Sequence, residues 1–264
     1  MALAALTLYF AVASGQFTVT GRDPIRPKYA VAFETRDQRD ARKRVIEVVL
    51  SEEPVDVKAA LMEIDPHTQV INQPAMMDHN YIILWVRPDN DVSMNASYGV
   101  TQYVDMTPGS LEANISVYTP DHVTGRLHTT RDVKTMGDEK YSIDVKFDTD
   151  VTRLPPGTKL AAGGGDAGKA LTALFAAVSK KNYDGIKSHV TPRVADMFTD
   201  RDDAIQTLGI WLPKKAGKIT GGELRGDTAV LEMEADYLYL VQMVKSGDKW
   251  VYDRSTRASF IDSK

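Results

Sequence analysis

Residues Leu154 to Gly168, reading LPPGTKLAAGGGDAG, constrain what this chain can fold into more than any other stretch. Two prolines precede three consecutive glycines, and few of the side chains can join a core. Proline stiffens a chain, glycine loosens it, and neither buries much apolar surface, so the composition is that of a linker. The sequence has 264 residues, more than the roughly 100–200 residues usual for one domain. A linker at this position predicts two independently folded parts. Short strands precede it; after it helices come first and strands follow. The expected divisions are an N-terminal segment over 1–16, a β domain over 17–153, the linker over 154–168 and an α+β domain over 169–264.

Composition narrows the roles. An apolar content of 43% and a charged content of 26% belong to a globular protein, not a disordered one. Residues 1–153 carry 16 Lys and Arg against 22 Asp and Glu; residues 154–264 carry 16 against 14. Neither half has the basic surplus of a nucleic-acid binder. The chain has no cysteine, which removes disulfides, thiol catalysis and zinc–thiolate sites.

The N-terminus points to a compartment. Met1 to Ala13, MALAALTLYFAVA, is an uncharged apolar run followed by Ser14, Gly15 and Gln16. It is shorter than the roughly 20 residues of a membrane-spanning helix. It matches a secretory apolar core ending in the small-x-small pattern Ala11-Val12-Ala13, although no Lys or Arg precedes it. The reading is an export signal removed after about Ala13, giving a secreted or periplasmic protein with no transmembrane segment. A first core strand or helix, a start codon placed too late, and a retained anchor are the alternatives.

From Tyr29 the pattern is β. Tyr29 to Glu34 and Arg44 to Leu50 are apolar runs separated by a charged connection, expected to be a solvated turn. Pro54 to Ile64 has helical spacing and predicts a short crossing helix. Tyr81 to Val86, Ala96 to Val104, Leu111 to Tyr118, Gly125 to Thr129 and Tyr141 to Phe147 complete a set of short strands. Their number and spacing predict a β-sandwich that resembles immunoglobulin domains in architecture only. His67, His79, His122 and His128 show no metal-ligand spacing and read as scattered surface histidines. Asp78-His79 comes with no nucleophile elbow. Met76-Met77 reads as a loop packed on the sandwich, and Asn95 and Asn114 each begin an Asn-x-Ser pattern.

In the second part, a helix is expected from Asp166, with Ala170, Leu171, Leu174, Phe175 and Val178 on one face. A second helix, from Tyr183 to Phe198, should be kinked or divided at Pro192, and a third should run from Asp202 to Leu212. From Lys218 the period becomes two, with turns at Arg225-Gly226-Asp227 and Ser246-Gly247-Asp248. Helices followed by an antiparallel meander predict an α+β layout.

The runs ALTALFAAVSKKNYDGIKSHVTP, GELRGDTAVLEMEA and YLVQMVKSGDKWVYDRS, in that order, resemble the cystatin-like, nuclear-transport-factor-2-like (SnoaL-like) superfamily over about the last hundred residues. The resemblance implies a curved sheet wrapped around helices as a cone with an open apolar mouth. It also implies that enzymes of this kind would use inward polar residues, for which His189, Asp196, Asp236, Tyr237 and Tyr239 are the candidates. Phe198, Trp211, His189, Tyr237, Tyr239 and Met243 are the residues expected to line a ligand cavity. Met233 could join them, although a packed core uses the same residue types.

No motif identifies a nucleotide, a metal or a cofactor: Gly163-Gly164-Gly165 lacks the Lys-Ser/Thr of a phosphate loop. The function expected is therefore that of an exported, non-enzymatic binding or envelope-associated interaction protein. Its partner would be another protein or a small apolar ligand. The alternative is an isomerase, dehydratase or hydrolase acting in the second domain's cone.

Overall fold

The computed structural model describes residues 12–37, 39–40, 42–73, 76, 79–99, 101–104, 110–134 and 139–260. Most of the expected export signal, residues 1–11, lies outside them, as do Met77 and Asp78. The chain forms two compact units, one of residues up to Asp37 together with Arg42–Leu154, the other of residues from Pro155 onward together with 38–41.

The first unit is one run of hydrogen-bonded strands: β1 (Val12–Val19), β2 (Tyr29–Arg36), β3 (Arg44–Ser51), β4 (Tyr81–Val86), β5 (Val92–Tyr98), β6 (Thr101–Val104), β7 (Leu111–Tyr118), β8 (His122–Thr129), β9 (Val133–Lys134) and β10 (Lys140–Thr152). The spatial order is β6-β5-β4-β3-β2-β1-β10-β8-β7, with β9 on β10; a short parallel contact between β2 and β10 is the exception to antiparallel pairing. Sheets of about ten strands curl, and two contacts show that this one does. The Tyr98 hydroxyl of β5 donates to the Phe17 carbonyl of β1, four strands further along the sheet, at 3.2 Å. The Ile115 N–H on the far edge strand β7 donates to Asn90 Oδ1, in the β4–β5 turn, at 2.7 Å.

The concave face holds the main core. On β10, Tyr141, Ile143, Val145 and Phe147 point in, while Asp144, Lys146 and Asp148 point out. Phe17, Tyr98, Tyr103 and Tyr141 close one end, with the Arg22 guanidinium 5.5 Å from the Tyr98 and Tyr103 rings. The convex face of β2–β4 is covered by α1 (Val57–Leu61) and α2 (Pro66–Ile71). Asp56 and Asp65 cap them, each accepting the backbone N–H three residues on. Sequence reading anticipated the first of these helices but not the second, although Asp65-Pro66 is a helix-start pattern. Met76 is buried under them. The charged turn after β2 is not fully solvated: Asp37 is buried and accepts two 2.7 Å hydrogen bonds from Arg87, which also donates to Ser93 Oγ.

The second unit is a five-stranded sheet in sequence order: β11 (Thr158–Leu160), β12 (Lys218–Arg225), β13 (Thr228–Glu234), β14 (Tyr237–Ser246) and β15 (Lys249–Phe260). Its helices are α3 (Gly165–Ser179), α4 (Tyr183–Ser188), α5 (Pro192–Ala195) and α6 (Arg201–Trp211). Pro192 opens α5, and so divides what the sequence offered as one helix. The strands and helices share one core that includes Leu171, Leu174, Ile186, Leu208, Leu231, Val241 and Tyr252. Asp253 ties β15 to its surroundings, accepting from Thr191, Arg193, Gln242 and Arg254. Burial opposes its ionisation, but the two guanidinium partners outweigh that and lower its pKa.

This architecture corrects the expectation of an immunoglobulin-like sandwich followed by an α+β cone. The described residues are mostly β, 48% strand against 22% helix in six helices, arranged as two antiparallel sheets. In the first unit β1 lies between β2 and β10 and joins the strands into a single sheet, where a sandwich would have two. Val12 to Gln16, assigned by sequence to the export signal, belong to that strand: Ser14 pairs with Lys146, and Gln16 with Asp144. In the second unit α4 and α5 are short, six and four residues long.

The glycine run is not a free hinge either. Thr158–Leu160 pairs with β12, the Gly163 N–H donates to the Ile219 carbonyl, and Gly164 takes the left-handed conformation (φ 66°) as the cap of α3. One turn later Gly168 presses on the same loop. A Cβ there would stand 1.8 Å from the Gly163 carbonyl oxygen, whereas one on Gly209 of α6 would meet nothing within 4 Å. Gly168→Ala is expected to destabilise the second unit by about 2 kcal/mol or more. Gly209→Ala is expected to stabilise it by roughly 0.5–1 kcal/mol. Urea midpoints of the two variants, moving in opposite directions, check the assignment.

Candidate functional site

The six residues expected to line a cavity sit in the second unit, most of them in or against its core. Phe198, Tyr239 and Met243 are buried members of its continuous hydrophobic core, and Trp211 packs against that core while its carbonyl accepts from Ser255 Oγ at 2.7 Å. His189 follows α4, its Nδ1 2.7 Å from the Gly185 carbonyl and 3.1 Å from Ser188 Oγ. Tyr237 and Tyr239 do come together, edge to face at 6.1 Å, with the Arg257 guanidinium 5.2 and 5.9 Å from their rings. The Tyr239 hydroxyl donates to Asp236 Oδ1 at 3.2 Å, and burial, followed by the Asp236 charge, raises its pKa. Asp196 is exposed at the end of α5. These side chains serve packing, helix termination and one aromatic–guanidinium stack.

A groove of about 450 Å³ lies instead on the first unit, on the outward face of β1, β10, β8 and β7. Strand alternation builds it: where inward residues fill the core, their neighbours must face solvent. The register places Ser14, Lys146, Arg126 and Asn114 side by side in one row across four strands. Val12, Asp148 and Thr124 form the next row, with Ser116 beside them. With strands about 4.8 Å apart, a four-strand row spans roughly 14 Å.

The charges on this face are mostly held in place. Arg126 makes a bidentate pair with Asp144, both bonds 2.8 Å; the pairing lowers the Asp144 pKa and raises that of Arg126. His122 stands between two carboxylates, Nδ1 2.7 Å from Asp150 and Nε2 2.7 Å from Asp148. His128 Nε2 lies 3.3 Å from Glu112. Lys146 makes no ion pair among the described residues, although it stands opposite Arg126. Like charges directly opposite repel, and Asp144 and Asp148, two residues to either side of Lys146 on β10, offset that.

Sequence reading missed this face. Its histidines looked scattered because their partners are remote in sequence and meet them only through the β8–β10 and β7–β8 registers. The signal that was present is the alternation of β10, whose polar half spells Asp144, Lys146, Asp148 and Asp150. Among the described residues, no group of three or more His, Asp or Glu side chains is placed to hold a metal ion. No described helix is long and apolar enough to cross a membrane.

Comparison with known proteins returns nothing: no family model, no curated protein and no solved structure matches the chain. The resemblance to the cystatin-like, nuclear-transport-factor-2-like superfamily therefore has no support beyond its short motifs.

The hydrogen bond to Asp150, with Asp148 adding to it, raises the His122 pKa against a smaller effect of burial. Because the folded value lies above the unfolded one, the stabilisation is present below the ordinary imidazole pKa of about 6.5 and lost as pH rises through the folded value. An NMR titration of His122 is expected to give a midpoint above about 6.5 that falls in Asp150→Asn.

Proposed function

We propose that the protein is an exported, non-enzymatic binding protein that attaches to polyhydroxylated polymer of the cell envelope through the groove on β1, β10, β8 and β7. The observation that carries this reading is the cross-strand row Ser14–Lys146–Arg126–Asn114 beside Asp148, Thr124 and Ser116. It sets hydrogen-bond donors and acceptors in an open trough on a rigid sheet. Such a surface meets an extended polar chain better than it meets a compact apolar molecule, because nothing encloses the ligand. The near-balanced charges favour hydrogen bonding over ion exchange, so binding should survive moderate salt.

Export rests on the N-terminal run, and the strand pairing adds a consequence. Removal after Ala13 would leave Ser14–Val19 of β1 on β10 and take away Val12, whose exposed side chain lines the groove. The mature protein would then have a more open end to its trough.

Cosedimentation of the purified protein with peptidoglycan sacculi, and with cellulose and chitin as further polymers, tests the binding. Depletion from the supernatant that weakens about tenfold or more in Arg126→Ala/Lys146→Ala is the expected result, equivalent to about 1.4 kcal/mol. Failure to sediment with any polymer, or sedimentation indifferent to the two substitutions, overturns it. N-terminal sequencing of the protein from envelope or extracellular fractions tests export: a start near Ser14 is expected, and an intact Met1 in the cytosol refutes it.

A further inference from the structure

The convex side of the first unit holds a carboxyl group that packing does not explain. Glu47 of β3 is fully buried, its side chain 0% exposed, in an apolar and aromatic core that includes Phe33, Val57, Ala60, Val70 and Trp85. In the sheet it sits between Phe33 of β2 and Trp85 of β4. Its one hydrogen bond comes from above, where Glu47 Oε1 lies 2.7 Å from His67 Nδ1 on α2. The imidazole also stacks obliquely on Trp85, ring centres 5.7 Å apart. Glu47 Oε2 and the Trp85 indole N–H are both buried without a hydrogen-bond partner among the described residues. Trp85 is still close enough for its N–H to favour the carboxylate.

A buried carboxylate with a single hydrogen bond is costly unless a cation neutralises it. His67 supplies that cation only when protonated. With the imidazole neutral, the Nδ1–H donor can remain, but the charge on Glu47 is left uncompensated in an apolar layer. The helices that bring His67 there are five and six residues long, too short to persist without tertiary anchoring. Their other anchors are the buried Val57, Ala60 and Val70. We propose that the Glu47–His67 contact is a proton-operated latch, holding α2 on the convex face of β3 and β4 while His67 is protonated and loosening it when the imidazole loses its proton.

The neighbours leave the latch to these two groups. Among the described residues, Asp65 at the start of α2 is the one further charge that acts on them, favouring protonation of both; β2 and β4 present Phe33 and Trp85. Burial raises the Glu47 pKa and wins over the stabilising effect of His67. Burial depresses that of His67, but the bond to Glu47 and the charges of Glu47 and Asp65 outweigh it, so it too is raised. Both folded values exceed their unfolded ones, so the folded state binds more protons. The contribution of His67 is complete below its ordinary value of about 6.5 and is lost as pH rises through its folded value. The carboxyl of Glu47 adds a contribution of the same sign, complete below its ordinary range and lost above its folded value. Alkaline pH releases α2.

Amide hydrogen exchange on the full chain, from about pH 5.5 to about pH 9 and corrected for the intrinsic base-catalysed rate, reads this directly. Protection across residues 66–71 is expected to fall about tenfold or more over that range, while β10 stays unchanged. Glu47→Gln keeps an acceptor for Nδ1–H and removes the charge, so it should hold α2 with a flat pH profile. If that variant fails to fold, the midpoint of the wild-type exchange step must coincide with the NMR-observed pKa of His67. A flat wild-type profile, a step that persists in Glu47→Gln, or a step displaced from the His67 titration each overturns the proposal.

Discussion

The first unit depends on one requirement: both faces of β3 and β4 must be kept from water. β4, reading YIILWV, is buried along its whole length, and β3 is buried from Val45 to Ser51. A strand that is apolar on both sides needs two covers. The first comes from the sheet itself, which curls until Phe17 meets Tyr98 and Tyr103 and the β4–β5 turn reaches the edge of β7. The second comes from α1 and α2, short helices whose value lies in what they cover.

The remaining features of that unit follow from these two covers. Once the concave face is filled, alternation forces the other half of β1, β10 and β8 outward, and the outward residues are the polar ones that form the groove. Where the helical cover meets β3, the buried carboxyl of Glu47 must find its partner on the cap. The same logic places the buried Asp37–Arg87 pair, which ties the end of β2 to the end of β4 and, through Ser93, to β5. Each buried ion is answered by a residue from another element, so these contacts specify the pairing of elements as much as they stabilise it.

Much of the secondary structure was legible. The apolar run Tyr81 to Val86 announced a strand, and the period-two pattern of Tyr141 to Phe147 announced a face inside and a face outside. Pro192 divided its helix and Pro213 followed α6. The architecture was less legible because strand spacing does not say which strands are neighbours. β1 carries Ser14, Gly15 and Gln16, a composition that suits a cleavage site as well as it suits a strand. Its place between β2 and β10 decided between two sheets and one. The expected cavity residues illustrate the same limit: Phe198, Tyr239 and Met243 have the composition of a binding site and the location of a core.

The sequence by itself determined where most strands and helices begin, and that the chain holds no cysteine chemistry. Those properties are local: periodicity, proline, capping residues and composition are complete within a few residues of chain. Only the tertiary structure decided that the glycines after Leu154 clamp α3 to its sheet instead of swinging freely. Their role depends on a carbonyl of Gly163 and a strand more than fifty residues away. It also decided that His122 meets Asp148 and Asp150, that Ser14 stands in line with Asn114, and that His67 lies over Glu47. Each of these is a matter of register or of which helix covers which face, and both are fixed by burying the whole sheet at once.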